Sequence, residues 1–294
     1  ITVRDDLTLP DRGFRVTIAG DVAVESEIPA GRLLVVPAVG DVLPESGVDA
    51  AGETPPATDP LTGRRAAWLG HAQADIARRR GAVVHDEAAC VARSVEAAVR
   101  RHADRLLSRD SVARLLESLR ADQPAVVEQV VPGVLTIARV QRTLQCLLRD
   151  GVPIRPLGEI VEVMADHAAD AAEPAQLAEL VRRSVSRAIC RRARDPRGRL
   201  VTVRLEEPAV GAVAASSGRM PATLVAELRR AVRPVVERGG RAIVVVPAAA
   251  RLRIRDALLR HLPDVQVLAE EEIADEDRVE VFASVGGGEV LRAA

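Results

Sequence analysis

The sequence predicts a mixed α/β fold made of several subdomains, and three patterns along the chain indicate it. Near the N-terminus, apolar residues alternate with polar ones, as they do in half-buried strands. Residues 107–190 place apolar side chains at spacings of three and four, which is typical of amphipathic helices. Beyond residue 194, segments with strand and helix patterns alternate, and that order predicts a small α/β sandwich.

The N-terminal strands are predicted to form a hairpin. Alternating residues in 14–18 and 22–27 flank Gly20-Asp21, a dipeptide suited to a tight turn. Short strands are expected at 33–36, 66–69 and 82–84, with a helix over 71–80. Between them, residues 38–60 are rich in Gly and Pro, so an exposed loop is expected there.

The rest of the chain is predicted to be mainly helical up to residue 194. A helix capped by Asp86 should turn one apolar stripe inward, made of Val91, Val95, Ala98, Val99, His102 and Leu106. Further helices are predicted to begin near Asp110 and at Pro124, to end at Asp150-Gly151, and to span 157–167 and 174–192. The C-terminal part is predicted to hold strands 200–205, 242–246, 265–268 and 278–283 and helices 221–238 and 249–262.

Composition argues against a dedicated nucleic-acid binder. The 41 basic and 42 acidic residues give a net charge of −1, without the basic excess that such proteins show. Aromatic residues make up only 1% of the chain, which leaves little for stacking on bases. No apolar run approaches the roughly 20 residues of a membrane helix. Because the sequence starts at Ile1, without Met, we expect it to be part of a longer protein.

The sequence favours a binding or scaffold protein over an enzyme, and it predicts no cofactor or metal. It contains no nucleophile elbow, phosphate-binding P-loop or HExxH zinc pair. The three cysteines, Cys90, Cys146 and Cys190, lack metal or disulfide spacing, so each is interpreted as a small buried hydrophobe.

Two charged segments leave a ligand-binding enzyme open as the alternative. The acidic cluster Glu270–Asp277 could bind a cation or transfer protons, but we interpret it as a solvated loop. The arginine-rich helix Leu177–Arg194 could bind phosphate, but we interpret it as a solvated basic face or a subunit contact.

Three segments together resemble the FHIPEP family, the export-gate proteins of flagellar and injectisome type III secretion. Residues 3–10, VRDDLTLP, are similar to that family's V-x-I-R-D-N-x-x-L-x-P motif, and DPLTG at 59–63 ahead of Trp68 is similar to D-P-x-x-G…W. Residues 100–168 resemble the run HA-x-x-L-L-x-R-Q…L-Q-x-V-L-Q-N-L-L-x-E-G-V-x-I-R-D-L. The order of the segments agrees, and the resemblance covers essentially the whole chain and corresponds to the family's cytoplasmic region.

The resemblance implies four subdomains. The first is an α/β unit of residues 1–30 plus 87–106, with a second subdomain, 31–86, inserted into it. The third is helical, 107–186, and the fourth is a C-terminal α/β unit, 187–294.

The resemblance also implies a function without catalysis. Family members form a homo-oligomeric ring at the cytoplasmic face of the bacterial inner membrane, attached through a segment outside this sequence. That ring docks export chaperones with their cargo, secreted proteins and other export components. A stand-alone cytosolic regulatory or ligand-binding protein remains the alternative.

The family's chaperone-binding dimple maps to Asp59, Thr62, Arg93 and Pro153. The sequence departs from the family pattern at two of these, since Thr62 replaces an aromatic residue and Arg93 replaces a small hydroxyl residue. Losing an aromatic side chain removes much of an interface anchor. A structural role is the alternative for each of the other two: the start of a turn for Asp59, and the entry to the next helix for Pro153.

Overall fold

A computed structural model describes residues 2–39, 56–195, 197–274 and 276–287. It divides the chain into two compact units. The first contains Ile1–His102 and Val236–Gly239, and the second contains Ala103–Val235 and Gly240–Ala294. Most of the predicted Gly/Pro-rich loop, residues 40–55, lies outside the described residues. The four-subdomain division stays a prediction.

The first unit begins with the predicted hairpin, which the structure confirms. Strands β1 (Gly13–Ile18) and β2 (Asp21–Glu27) pair in antiparallel register. The turn between them uses Ala19 and Gly20, both with positive φ, at 51° and 88°. Two successive positive φ angles are what a two-residue hairpin turn requires, because they match the twist of the paired strands.

A four-stranded antiparallel sheet forms the rest of the first unit, in the order β4-β5-β3-β6. Its elements are β3 (Arg32–Val36), β4 (Pro56–Thr58), β5 (Arg65–Gly70), α1 (His71–Arg79), β6 (Val83–His85) and α2 (Glu87–Arg101). Asp86 caps α2 as predicted, accepting a hydrogen bond of 2.8 Å from the Ala89 N–H.

The predicted buried stripe of α2 is correct only in part. Ala98 is fully buried and Val91 packs against a core cluster, but the other residues that the helix buries are small ones outside the stripe: Cys90, Ser94 and Ala97. Val99 is 38% exposed and Leu106 is 46% exposed. Small side chains allow the helix backbone to lie close to the sheet, and Cys90 shares a core cluster with β3 residues, so bulk did not decide which face is buried.

The second unit starts with seven helices. They are α3 (Ala103–Leu106), α4 (Arg109–Asp122), α5 (Pro124–Val130), α6 (Ile137–Arg149), α7 (Leu157–Asp166), α8 (Pro174–Ser184) and α9 (Ser186–Ala193). The predicted helix over 174–192 is therefore two helices that meet at Val185, whose side chain is buried.

The C-terminal part contains a parallel sheet with the order β10-β7-β8-β9. Its elements are β7 (Arg199–Leu205), α10 (Glu207–Ala215), α11 (Ala222–Glu237), β8 (Ile243–Val246), α12 (Ala248–Leu259), β9 (Gln266–Ala269), a 3₁₀ turn (Glu270–Glu272) and β10 (Arg278–Val285). Among the strands and α-helices of this part, α10 was not predicted, because its sequence EPAVGAVAA consists mainly of small and apolar residues and shows no amphipathic pattern. The predicted mixed α/β class is confirmed.

Helices and sheet share one hydrophobic core in the second unit. Leu144 of α6, Ile160 of α7 and Leu177 of α8 are fully buried in the same cluster as Leu200 of β7 and Leu268 of β9. The apolar core thus continues from the helices into the sheet. In the part of the chain that the structure describes, no helix is long and apolar enough to cross a bilayer.

A buried ion-pair network, centred on Asp150 and called here the Asp150 network, also joins the helices to the sheet. Asp150 is the residue at the C-terminal end of α6. Its side chain is 4% exposed and lies beside three arginines. Arg251 Nη2 donates to Asp150 Oδ2 at 2.9 Å, and Arg182 Nη1 donates to the same oxygen at 3.3 Å. Arg255 Nε lies 2.5 Å from Asp150 Oδ1 outside hydrogen-bond geometry, so that contact is an ion pair.

Two glutamates complete the network. Arg251 Nε donates to Glu179 Oε2 at 2.5 Å, and burial opposed by Glu179 and Asp150 leaves the pKa of Arg251 above its usual value. Arg182 Nη2 donates to Glu272 Oε2 at 2.9 Å. Both arginine side chains are 1% exposed. Burying a charge is costly unless a partner compensates it, so these contacts must form together.

The network corrects two interpretations drawn from the sequence. Glu272, placed in a solvated acidic loop, is buried and also accepts the Ala269 N–H at 2.8 Å. Asp277 of the same cluster is 3% exposed and pairs with Arg194 at 2.5 Å. Arg182, placed on a solvated basic face, is inside the protein.

We expect Arg251→Met to lower the free energy of unfolding by about 3–5 kcal/mol, because Asp150 loses one of its three buried partners and Glu179 loses its partner. Arg253→Met is the matched control: Arg253 is on the exposed side of the same helix, so the change should stay within about 0.5 kcal/mol. Urea denaturation of both variants measures the difference. Equal losses would show that the Asp150 network contributes nothing particular.

Candidate functional site

Asp59 stands at the start of the turn that joins β4 to β5. Its N–H donates to the Arg64 carbonyl at 2.9 Å, and its own carbonyl accepts the Gly63 N–H at 2.9 Å. Gly63 has a φ of 70°, a conformation that favours glycine. The Asp59 carboxylate also accepts the Leu61 N–H at 3.4 Å and the Thr62 hydroxyl. Asp59 therefore organises this turn.

Arg93 reaches from α2 and closes the site over Asp59. Its Nε donates to Asp59 Oδ1 at 2.8 Å, and its Nη2 donates to Asp59 Oδ2 at 2.5 Å. This fork of two parallel hydrogen bonds is the strongest arrangement that Arg and a carboxylate can form. The residue is 1% exposed, so Asp59 itself presents almost no surface to a partner.

The pKa values of the titratable side chains in this cluster differ from their ordinary values. Burial would raise the pKa of Asp59, but hydrogen bonds from Arg93 and Thr62 outweigh it and lower that pKa below its usual value. The hydrogen bonds to Asp59 also raise the pKa of Arg93. Burial, followed by the charge of Arg93, lowers the pKa of His85. The Asp59–Arg93 pair is therefore ionised over the neutral range.

The other predicted site residue, Pro153, belongs to the second unit. It lines an open groove of about 1060 Å³ between the stretch that leads into α7 and the junction of α8 with α9. The structure thus brings Asp59, Thr62 and Arg93 together in the first unit and places Pro153 in a groove of the second. The lining comprises Pro153, Arg155, Pro156, Glu159, Arg183, Ser184, Val185, Ser186, Arg187, Ala188, Arg191 and Arg192.

The cysteines are not reactive groups of a site. Burial raises the pKa of Cys90 to about 11 and that of Cys190 to about 12. Cys146 is half-buried, and burial raises its pKa too. Thiolates are the reactive form, so these thiols are poor nucleophiles. Across the described ranges, no group of three or more His, Cys, Asp or Glu side chains could hold a metal ion.

Comparison with known proteins identifies the family of this chain. The sequence profile of the FHIPEP family matches residues 1–278. The chain belongs to the FHIPEP family. The flagellar biosynthesis protein FlhA of Yersinia enterocolitica is 27% identical over 97% of this chain, and FlhA of Escherichia coli K12 is 27% identical over 98%. The chain spans 41% and 42% of the lengths of these relatives.

Solved structures show the same fold. The Chlamydia pneumoniae CdsV protein superposes with a TM-score of 0.76 at 16% identity, covering 96% of this chain and 82% of CdsV. CdsV in complex with CdsO gives 0.72 at 18%, covering 94% and 81%. Nonameric SctV-C of EPEC gives 0.72 at 15%, covering 94% and 84%. At these identities the likeness establishes the fold of this FHIPEP member.

Sequence reasoning missed the arginines that surround Pro153 in this FHIPEP chain. A signal was present, because Arg183, Arg187 and Arg191 recur every four residues and Arg155 follows Pro153 by two. The prediction treated Leu177–Arg194 as one basic face. The structure instead buries Arg182, pairs Arg194 with Asp277 and leaves the others exposed at the groove.

We expect Asp59→Asn to change how stability depends on pH. Because the folded pKa of Asp59 is lowered, its ionised form adds stability above the unfolded value, about 3.9, and that stability is lost as pH falls through the folded pKa. Asp59→Asn should cost about 1–3 kcal/mol near neutral pH, and the gap to the unaltered chain should narrow on acidification. Urea denaturation between about pH 7 and about pH 3 measures it.

Asp75→Asn provides the comparison for this measurement. Asp75 belongs to an exposed ion pair with Arg78 on α1, worth about 0–1 kcal/mol. A gap for Asp59→Asn that stays constant with pH, or one no larger than that of Asp75→Asn, would contradict the coupling of Asp59 to Arg93.

Proposed function

We propose that this chain is the docking part of a type III protein export gate. Membership of the FHIPEP family across residues 1–278 carries the proposal. The mixed α/β fold that it shares with CdsV and SctV-C supports it. In this role the chain binds export chaperones with their cargo and secreted proteins through reversible contacts, without catalysing a reaction.

Assembly into a homo-oligomeric ring is part of the proposal. SctV-C, which has this fold, is nonameric in its solved structure, and CdsV has been solved together with CdsO. A ring multiplies weak docking contacts, since several equivalent sites stand close together. We place the ring at the cytoplasmic face of the bacterial inner membrane, held there by a further part of the protein, because the FlhA relatives are more than twice as long as this chain.

Thr62 and Arg93 are the residues through which the first unit would meet a partner. Thr62 is exposed and the Arg93 side chain is 23% exposed, whereas Asp59 is enclosed. The pair Asp59–Arg93 neutralises itself, so this surface differs from one that offers a free carboxylate. Because Thr62 replaces the family's aromatic residue, a chaperone that binds here needs no pocket for an aromatic ring. It needs a polar group that contacts Arg93.

The proposal is tested by secretion in cells whose own gene is replaced. Asp59→Asn with Arg93→Gln removes both charges together and avoids leaving one unpaired, which limits the cost in stability. We expect this double variant to lower the amount of cargo in the medium by about fivefold, which is the factor by which a loss of about 1 kcal/mol in docking free energy lowers affinity. The matched control, Asp75→Asn with Arg78→Gln, removes an exposed pair and should secrete normally.

The controls separate the two parts of the proposal. Deleting the gene should abolish secretion, and the purified chain should sediment faster as its concentration rises. Normal secretion after deletion, together with a strictly monomeric chain, would contradict the export-gate role. Normal secretion from the Asp59→Asn, Arg93→Gln variant alone would contradict only the assignment of this surface.

A further inference from the structure

The groove of the second unit is strongly cationic, and this charge has no part in the docking surface proposed above. Five arginines line it against a single carboxylate, that of Glu159. The arginines are exposed and come from two directions: Arg155 from the stretch before α7, and Arg183, Arg187, Arg191 and Arg192 from α8 and α9. Two separate segments of the chain therefore contribute basic side chains to one open groove.

These arginines are largely without partners inside the chain. Among the described residues, no carboxylate lies within ion-pair distance of Arg155, Arg183, Arg191 or Arg192. Arg187 lies 3.8 Å from Glu276, but both side chains are exposed, at 85% and 63%, so that pair contributes little. The contrast is with Arg182, the direct neighbour of Arg183, which has two carboxylates within reach.

Helix electrostatics explain only part of this charge. Arg183 is in the last turn of α8, and Arg191 and Arg192 are in the last turn of α9, where cations favourably oppose the helix dipole. Arg155 precedes a helix and Arg187 is in the first turn of another, where a cation is unfavourable. The helix dipole therefore does not account for these two positions.

The lining of the groove favours an extended peptide over other anions. Its volume, about 1060 Å³, is at the upper end of the range of small-molecule sites, and the groove is open to solvent. Pro153, Pro156 and Ala188 are half-buried in its lining and offer apolar contacts between the charges. A flat bilayer does not enter a concave groove, and no aromatic ring lines it for base stacking.

We propose that this groove docks an extended acidic segment of a partner protein, with the arginines binding its carboxylates and the prolines contacting the side chains between them. Arg is suited to this task because its planar fork binds a carboxylate with two hydrogen bonds. The partner is recognised by carboxylates spaced along an unfolded or looped segment. This inference goes beyond the proposed export role and does not depend on it.

Fluorescence anisotropy with the whole chain tests the proposal. The probe is a labelled peptide of about 12 residues with Glu at alternate positions between Leu and Ser, and its counterpart carries Gln in place of Glu. We expect the Glu peptide to bind, the Gln peptide to bind at least about tenfold more weakly, and binding to fall steeply between about 0.05 M and about 0.5 M salt.

Variants assign the binding to the groove. Arg187→Ala with Arg191→Ala should weaken binding of the Glu peptide by about tenfold or more, since hydrogen bonds to charged groups are lost. The matched control, Arg114→Ala with Arg230→Ala, removes two exposed arginines of the same unit outside the groove and should stay within about twofold. Equal binding by both double variants, or by the Glu and Gln peptides, would overturn the proposal.

Three further readouts exclude other occupants. Inorganic polyphosphate and phosphatidylglycerol vesicles are tested in the same way. If either binds the groove more tightly than the Glu peptide does, the proposal of a protein partner is overturned. A lower sedimentation coefficient for Arg187→Ala with Arg191→Ala than for the unaltered chain would show a contact between copies instead. Asp59→Asn with Arg93→Gln should bind the Glu peptide normally, so a failure here is distinct from a failure of the export role.

Discussion

The carboxylate of Asp150 is the constraint on which the second unit depends. Asp150 lies at the C-terminal end of α6, and its carboxylate is in contact with Arg182 of α8 and with Arg251 and Arg255 of α12. Three buried guanidinium groups cannot remain desolvated without such compensation, because the cost of burying each charge is several kcal/mol. The helices and the parallel sheet therefore have one arrangement in which every charge is matched. The shared apolar core supplies the burial that makes this requirement strict.

The same network decides what the surface offers. Holding Arg182 inward fixes the rotation of α8, so that Arg183 points outward and the junction at Val185 sets the direction of α9. The cationic groove thus arises from the helix whose other face carries the buried ion pairs. In the first unit an ion pair also determines which groups are exposed. Arg93 neutralises Asp59, and Thr62 and part of the Arg93 side chain remain accessible to a partner.

Much of the fold could be predicted because apolar periodicity controls it. The stripe of α6, with Val140, Leu144 and Leu147, is buried as expected, and the hairpin follows from alternation and a glycine turn. Prediction failed where charged side chains are buried. Arg251 and Arg255 share a stripe with Ile254 and Leu258, yet arginine is ordinarily counted as a surface residue. For the site, proximity of Asp59, Thr62 and Arg93 agrees with the resemblance, but no spacing reveals that Arg93 closes over Asp59.

Native-state hydrogen exchange of an Asp150→Asn variant tests the central claim most directly. If the Asp150 network makes helices and sheet one cooperative body, amides of α6, α8, β8 and β9 should open with the same free energy. Asp150→Asn should then lower that free energy by a similar amount in all four elements. A loss of protection confined to α6 and α8, with β8 and β9 unchanged, would show that the helices and the sheet are stabilised independently and would contradict the account.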